Sequence, residues 1–134
     1  MFRFSHRILS VTTLLAVGAL VGCGSNHTLA PFQPQITNVA DNFQAQATNV
    51  TNVTSTFTYS WTNSGTRATV NHSTVTTGGS THLDIKDAAG ATVYSQALSP
   101  SLNEATTVGQ AGVWRIEFTL TNYSGTLNFR VQKL

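Results

Sequence analysis

The chain has one cysteine, Cys23, in 134 residues, which excludes an internal disulfide. Charge is also scarce: Asp, Glu, Lys and Arg together make up 9%. Beyond Val21 no apolar run approaches the roughly 20 residues that a membrane-spanning helix needs. No window past residue 40 sustains an apolar i, i+3, i+4, i+7 pattern, so no core helix is expected there. There is no Gly-x-Ser-x-Gly elbow for a hydrolase. Gly78-Gly79 is followed by Ser80-Thr81-His82, with no Lys and no helical pattern, so it is not a phosphate-cradling loop.

What is present begins with a targeting pattern. Arg3 and Arg7 form a positive start with no acid nearby, and Ile8 to Val21 is apolar except for Ser10, Thr12, Thr13 and Gly18. A run of about 14 residues suits the hydrophobic region of a secretion signal better than a membrane span.

That run ends at Leu20-Val21-Gly22-Cys23, which resembles the lipobox of bacterial lipoprotein precursors. The resemblance implies cleavage between Gly22 and Cys23, with diacylglycerol on the Cys23 thiol and a further acyl chain. Two acyl signals anchor stably where one binds reversibly, at about 0.8 kcal/mol per buried CH₂. It also implies an extracytoplasmic address. Gly24, not Asp, follows the cysteine, which points to the outer membrane in a bacterium with two membranes, or to the outer face of a single one. The expected partner is therefore the membrane, through lipid, with no other cofactor.

The formal charge of +2 changes meaning once residues 1–22 are set aside. The remainder carries Arg67, Lys86, Arg115, Arg130 and Lys133 against Asp41, Asp84, Asp87, Glu104 and Glu117, a net of zero. Nothing in that balance favours nucleic acid. Residues 23–40, with Gly24, Ser25, Asn26, Pro31 and Pro34, read as a lipidated tether. Fully extended, the roughly 16 residues from Gly24 to Val39 would reach about 50 Å.

Residues 41–134 alternate apolar and polar positions and are rich in Thr, Val and aromatics, as half-buried strands require. The expected strands are Asn42–Ala47, Thr54–Thr62, Thr66–Ser73, Thr81–Lys86, Ala91–Ser95, Glu104–Val108, Val113–Thr121 and Thr126–Lys133. Turns are expected at Asn63-Ser64-Gly65, Gly78-Gly79, Asp87-Ala88-Ala89-Gly90 and Asn122-Tyr123-Ser124-Gly125. About eight short strands with one apolar face each predict a single antiparallel β-sandwich, jelly-roll-like, following a signal helix and a flexible tether. Trp61 and Trp114 alternate in phase with other apolar residues and are expected in its core.

The stretches Gly109–Phe118 and Ser124–Val131 resemble the closing strands of bacterial pre-peptidase C-terminal and related sandwich domains, and the Leu83–Gly90 hairpin fits the same pattern. Tyr59–Gly65 and Asp87–Gly90 also look like segments of other bacterial lipoproteins. The resemblance implies a fold and leaves function open, because such sandwiches host many roles.

Candidate chemistry is thin. His72 and His82 lie on expected strands, and Asp84 shares a face with His82. No His-x-His, second Cys or nearby Glu completes a metal set. Tyr94 and Tyr123, in or beside turns, are the candidates for exposed ligand-binding rings. The sequence thus predicts a non-catalytic binding or envelope-structural module, for a glycan or an envelope protein, using the Thr/Asn/Ser-rich sheet face or those tyrosines. The alternative is a small hydrolase or metal-dependent enzyme built on His72, His82 and Asp84.

Overall fold

The computed structural model describes residues 32–134; Gly22, Cys23 and the signal pattern lie outside them. Every regular element in this range is a strand: β1 (Gln35–Val39), β2 (Asn42–Asn63), β3 (Ala68–His72), β4 (Val75–Lys86), β5 (Thr92–Ala97), β6 (Leu102–Ala105) and β7 (Gly112–Lys133). All pairings are antiparallel. The fold is all-β, as the alternation requires.

Two strands of 22 residues each, β2 and β7, organise everything. They pair along their whole length, from Asn42 opposite Gln132 to Asn63 opposite Gly112. One half of this ribbon adds β1 on one side and β3 and β6 on the other, in the order β1-β2-β7-β3-β6. The other half adds β4, which pairs β7, and β5, which pairs β4. Between the halves the β2–β7 register slips three times, between Ala47 and Ser55. Asn49, Asn52 and Asn122 take left-handed backbone there, with φ of 54°, 49° and 46°. Bulges of this kind bend and twist a strand. The ribbon folds over, and the inner faces of its halves meet in sandwich fashion.

Side chains cross that interface. Phe43 of one half lies 5.4 Å from the Tyr59 ring of the other, and Phe118 stands edge-on to Phe129 at 5.2 Å. Trp61 and Trp114, directly opposite in register, are T-shaped at 5.8 Å and are 1% and 0% exposed. Each indole N–H is satisfied by a backbone carbonyl, Val39 for Trp61 and Gln110 for Trp114. Such an aromatic pair adds about 0.5–1.5 kcal/mol beyond its burial.

The sandwich stands, with five corrections to its parts. Among the described residues there are seven strands, not about eight, because pairs of expected short strands are continuous. Asn122–Gly125 is a bend within β7, not a hairpin turn. Gly78-Gly79 is a bulge within β4, where the register to β7 shifts. Residues 35–39, read as the end of a tether, are an edge strand hydrogen-bonded to β2. The sixth strand covers Leu102–Ala105 rather than Glu104–Val108, and Thr106 beyond it bonds to Ala68 through both backbone and hydroxyl.

Candidate functional site

Along β3, Ala68, Val70 and His72 point into the core, and His72 is 2% exposed. Its Nε2 lies 3.3 Å from the Tyr94 hydroxyl on β5. Burial holds the His72 imidazole below its ordinary value of 6.5, against the opposing pull of the Leu98 backbone and the Glu104 charge. Burial, helped by Glu104, pushes the Tyr94 phenol up to about 12. At neutral pH both groups are uncharged, and the contact is a polar pin between β3 and β5.

Neither tyrosine is an exposed ring. Tyr94 is 7% exposed and Tyr123 is fully buried, which corrects the expectation for both. A register slip between Ile85 and Lys86 sets Tyr94 opposite the inward Ile85, so Val93 and Tyr94 are buried side by side. In β7 the inward positions are even-numbered from Trp114 to Leu120 and odd-numbered from Tyr123 to Val131. The left-handed Asn122 absorbs the change and sends Tyr123 inward, where its hydroxyl donates to the Val75 carbonyl at 3.0 Å.

His82 faces the opposite way, outward from β4, beside Ser95 of β5. It occupies the outer face of β4 with Asp84 and Lys86, while Thr81, Leu83 and Ile85 point inward. The structure therefore separates His72 from His82: one is sealed in the core and the other is in solvent. His82 Nε2 is 3.0 Å from Ser95 Oγ and 3.4 Å from Asp84 Oδ1. Both partners meet the same ring nitrogen. A hydrolytic relay needs the hydroxyl on one nitrogen and the orienting carboxylate on the other. Among the described residues no group of three or more His, Cys, Asp and Glu could hold a metal ion.

The outer face that carries His82 is a polar surface with defined geometry. In register across it run Thr56, Thr119 and His82; then Thr58, Glu117, Asp84 and Ser95; then Ser60, Arg115, Lys86 and Thr92. Thr56 and Thr119 hydroxyls meet at 3.1 Å, and the Thr58 hydroxyl donates to Glu117 at 3.2 Å. Arg115 forms an ion pair with Glu117 two residues along the same strand. Like charges lie opposite each other across β4 and β7: Asp84 faces Glu117, and Lys86 faces Arg115. Such pairs are unfavourable unless ions of opposite sign are interleaved, and the alternation along each strand interleaves them. A shallow depression of about 250 Å³ opens between these four side chains and Thr92.

No protein-family model and no curated protein matches this chain.

The period of two already assigned Thr56, Thr58, Ser60, Arg115, Glu117 and Thr119 to outer faces, but their grouping depends on which strands are neighbours. Only the pairing of β7 with β2 and β4 supplies that.

Proposed function

We propose that the protein is a lipid-anchored extracytoplasmic lipoprotein whose sandwich is a non-catalytic binding or envelope-structural module. Its contact surface is the outer face of β2, β7 and β4. The observation that carries the binding role is the register of hydroxyls and alternating charges on that face. Donors and acceptors fixed on paired strands suit a hydroxyl-rich glycan or a polar protein surface, since little ordering remains to be done on binding. The resemblance of Leu20–Cys23 to a lipobox carries the address: the outer membrane of a two-membrane bacterium, or the outer face of a single membrane. The enzyme reading on His72, His82 and Asp84 is disfavoured by the opposite placement of the two histidines.

Two measurements test the reading separately. Labelled palmitate incorporates into the full chain but not into Cys23→Ser, which leaves the membrane fraction; equal incorporation in both ends the lipoprotein assignment. On a glycan array built from host envelope material, Thr119→Ala combined with Glu117→Gln loses at least about tenfold in signal, the cost of a few hydrogen bonds. Its melting temperature stays unchanged. Equal binding by variant and parent removes this face from the function.

A further inference from the structure

We infer that the C-terminal half of β2 is an interaction edge, and that its occupant is the same strand of a second copy of this chain. Within its half of the sandwich this segment pairs β7 on one side and, among the described residues, no strand on the other. The Ser60 carbonyl accepts from Asn38 Nδ2 and the Thr62 carbonyl from the Asp41 N–H, both at 2.9 Å and both away from β7. The two-residue period of a strand then turns the backbone N–H and C=O of Thr56 and Thr58 the same way, and no described group bonds to them.

Three observations mark this edge as built for a partner. First, Thr54 to Thr62 contains no charged residue, no Pro and no Gly, and the register to β7 is unbroken from Ser55 to Asn63. Natural sheets blunt exposed edges with just these missing devices. Second, the other edges are short or covered. β6 has four residues including Glu104, β1 has five, and β5 is capped where Thr107 bonds to the Val93 carbonyl through N–H and hydroxyl. Third, Phe57 and Tyr59 point inward yet are only partly buried, Phe57 with the Phe32 ring of its own chain edge-on at 5.9 Å, while Trp61 in the same row is fully covered.

About Phe57 the hydroxyl residues are placed symmetrically, Thr56 against Thr58 and Thr54 against Ser60, while Ser55 meets Tyr59. Antiparallel pairing about a two-fold axis at Phe57 sets Thr56 of one copy opposite Thr58 of the other, and the two Phe57 rings side by side. Residues with edge-facing groups then oppose one another, closing about four backbone hydrogen bonds. An edge with no charge neither repels its own copy nor selects an oppositely charged partner, and a two-fold pairing closes without leaving a growing end. This inference rests on the fold alone and not on the lipoprotein reading.

Amide hydrogen exchange at Thr56 and Thr58 in the detergent-solubilised full chain tests it, with sedimentation run in parallel over about a hundredfold range of concentration. Expected is a dimeric mass, with protection of both amides rising by at least about tenfold as the dimer fills. Thr58→Pro removes one edge-facing donor; it should halve the mass and release the Thr56 amide while the β7 amides stay protected. If that variant loses β7 protection, Thr56→Lys makes the same test without a backbone change. Fast exchange of both amides at every concentration overturns the inference. So does protection in a monomer, which would assign the edge to this chain's own residues 24–31.

Discussion

His72 shows what a single buried residue does to the whole molecule. Its imidazole protonates near 6.5 in an unfolded chain, and burial lowers that value in the folded one. Above 6.5 neither state binds the proton and stability is complete. As pH falls through 6.5 the unfolded chain takes up protons first, so stability declines until the folded imidazole also protonates. Asp41 and Asp87 act in a lower window. Asp87 is held down chiefly by the Gln110 N–H, with help from the Ala91, Ala89 and Gly90 N–H groups, and Asp41 chiefly by Ser64. Their contributions are present above the ordinary carboxylate value of 3.8 and are lost as pH falls through the depressed one. Urea unfolding as a function of pH should therefore show two separate acid-side losses. His72→Gln should erase the upper slope, the one that sets in as pH falls through 6.5, and leave the lower step intact; an unchanged slope assigns the upper step elsewhere. At this scale the sequence was legible where alternation is unbroken, as at Trp61 and Trp114. It misled at Tyr94 and Tyr123, because a one-residue slip or one left-handed Asn reverses every inside-outside assignment beyond it.

The bends of β4 and β7 explain why the elements were harder to read than the fold class. Gly and Asn clusters mark departures from regular strand geometry, and a hairpin turn and a bulge draw on the same residues. Only the identity of the partner strand separates them. Gly125, with φ of 144°, runs so close to β4 that a β-carbon there would sit 1.9 Å from the Val75 carbonyl oxygen. That same carbonyl accepts the buried Tyr123 hydroxyl. Gly125→Ala must therefore push β4 off β7 at the bend and strain its own backbone, costing at least about 2–3 kcal/mol. Gly78 in the same region has only ordinary contacts at 3.7 Å, from Ser124. Gly78→Ala should fall within about 1 kcal/mol of the parent, with the sign set by strand propensity. Comparable denaturation midpoints for the two variants would mean that β4 is free to shift, and that the bend is not fixed by the close approach of backbones.

For the molecule as a whole, the order of the chain sets how it folds. β7 is the last strand in sequence, and it is central in both halves, flanked by β2 and β3 in one and by β2 and β4 in the other. Asn42 finds its partner at Gln132, near the far end of the chain. Before β7 arrives, β3 and β4 have no route to β2, and only local pairs such as β1–β2 and β4–β5 can form. An isolated hairpin is marginal in water. Folding therefore waits for β7, and pairings of this span belong in the range of milliseconds to seconds. Deleting residues 127–134 removes from the core Leu127, Phe129 and Val131, and with them the links to β3 and to the first half of β2. Although the Trp61–Trp114 pair lies in the other half, near-UV circular dichroism from it should vanish. The inner face of that half has nothing else to bury itself against. A truncated chain that kept the tryptophan signal and a cooperative melt would show that the β2–β7–β4–β5 half folds alone. The two halves would then be separate cooperative units joined by a bent ribbon, and the dimer edge on β2 would belong to a unit that survives without the rest.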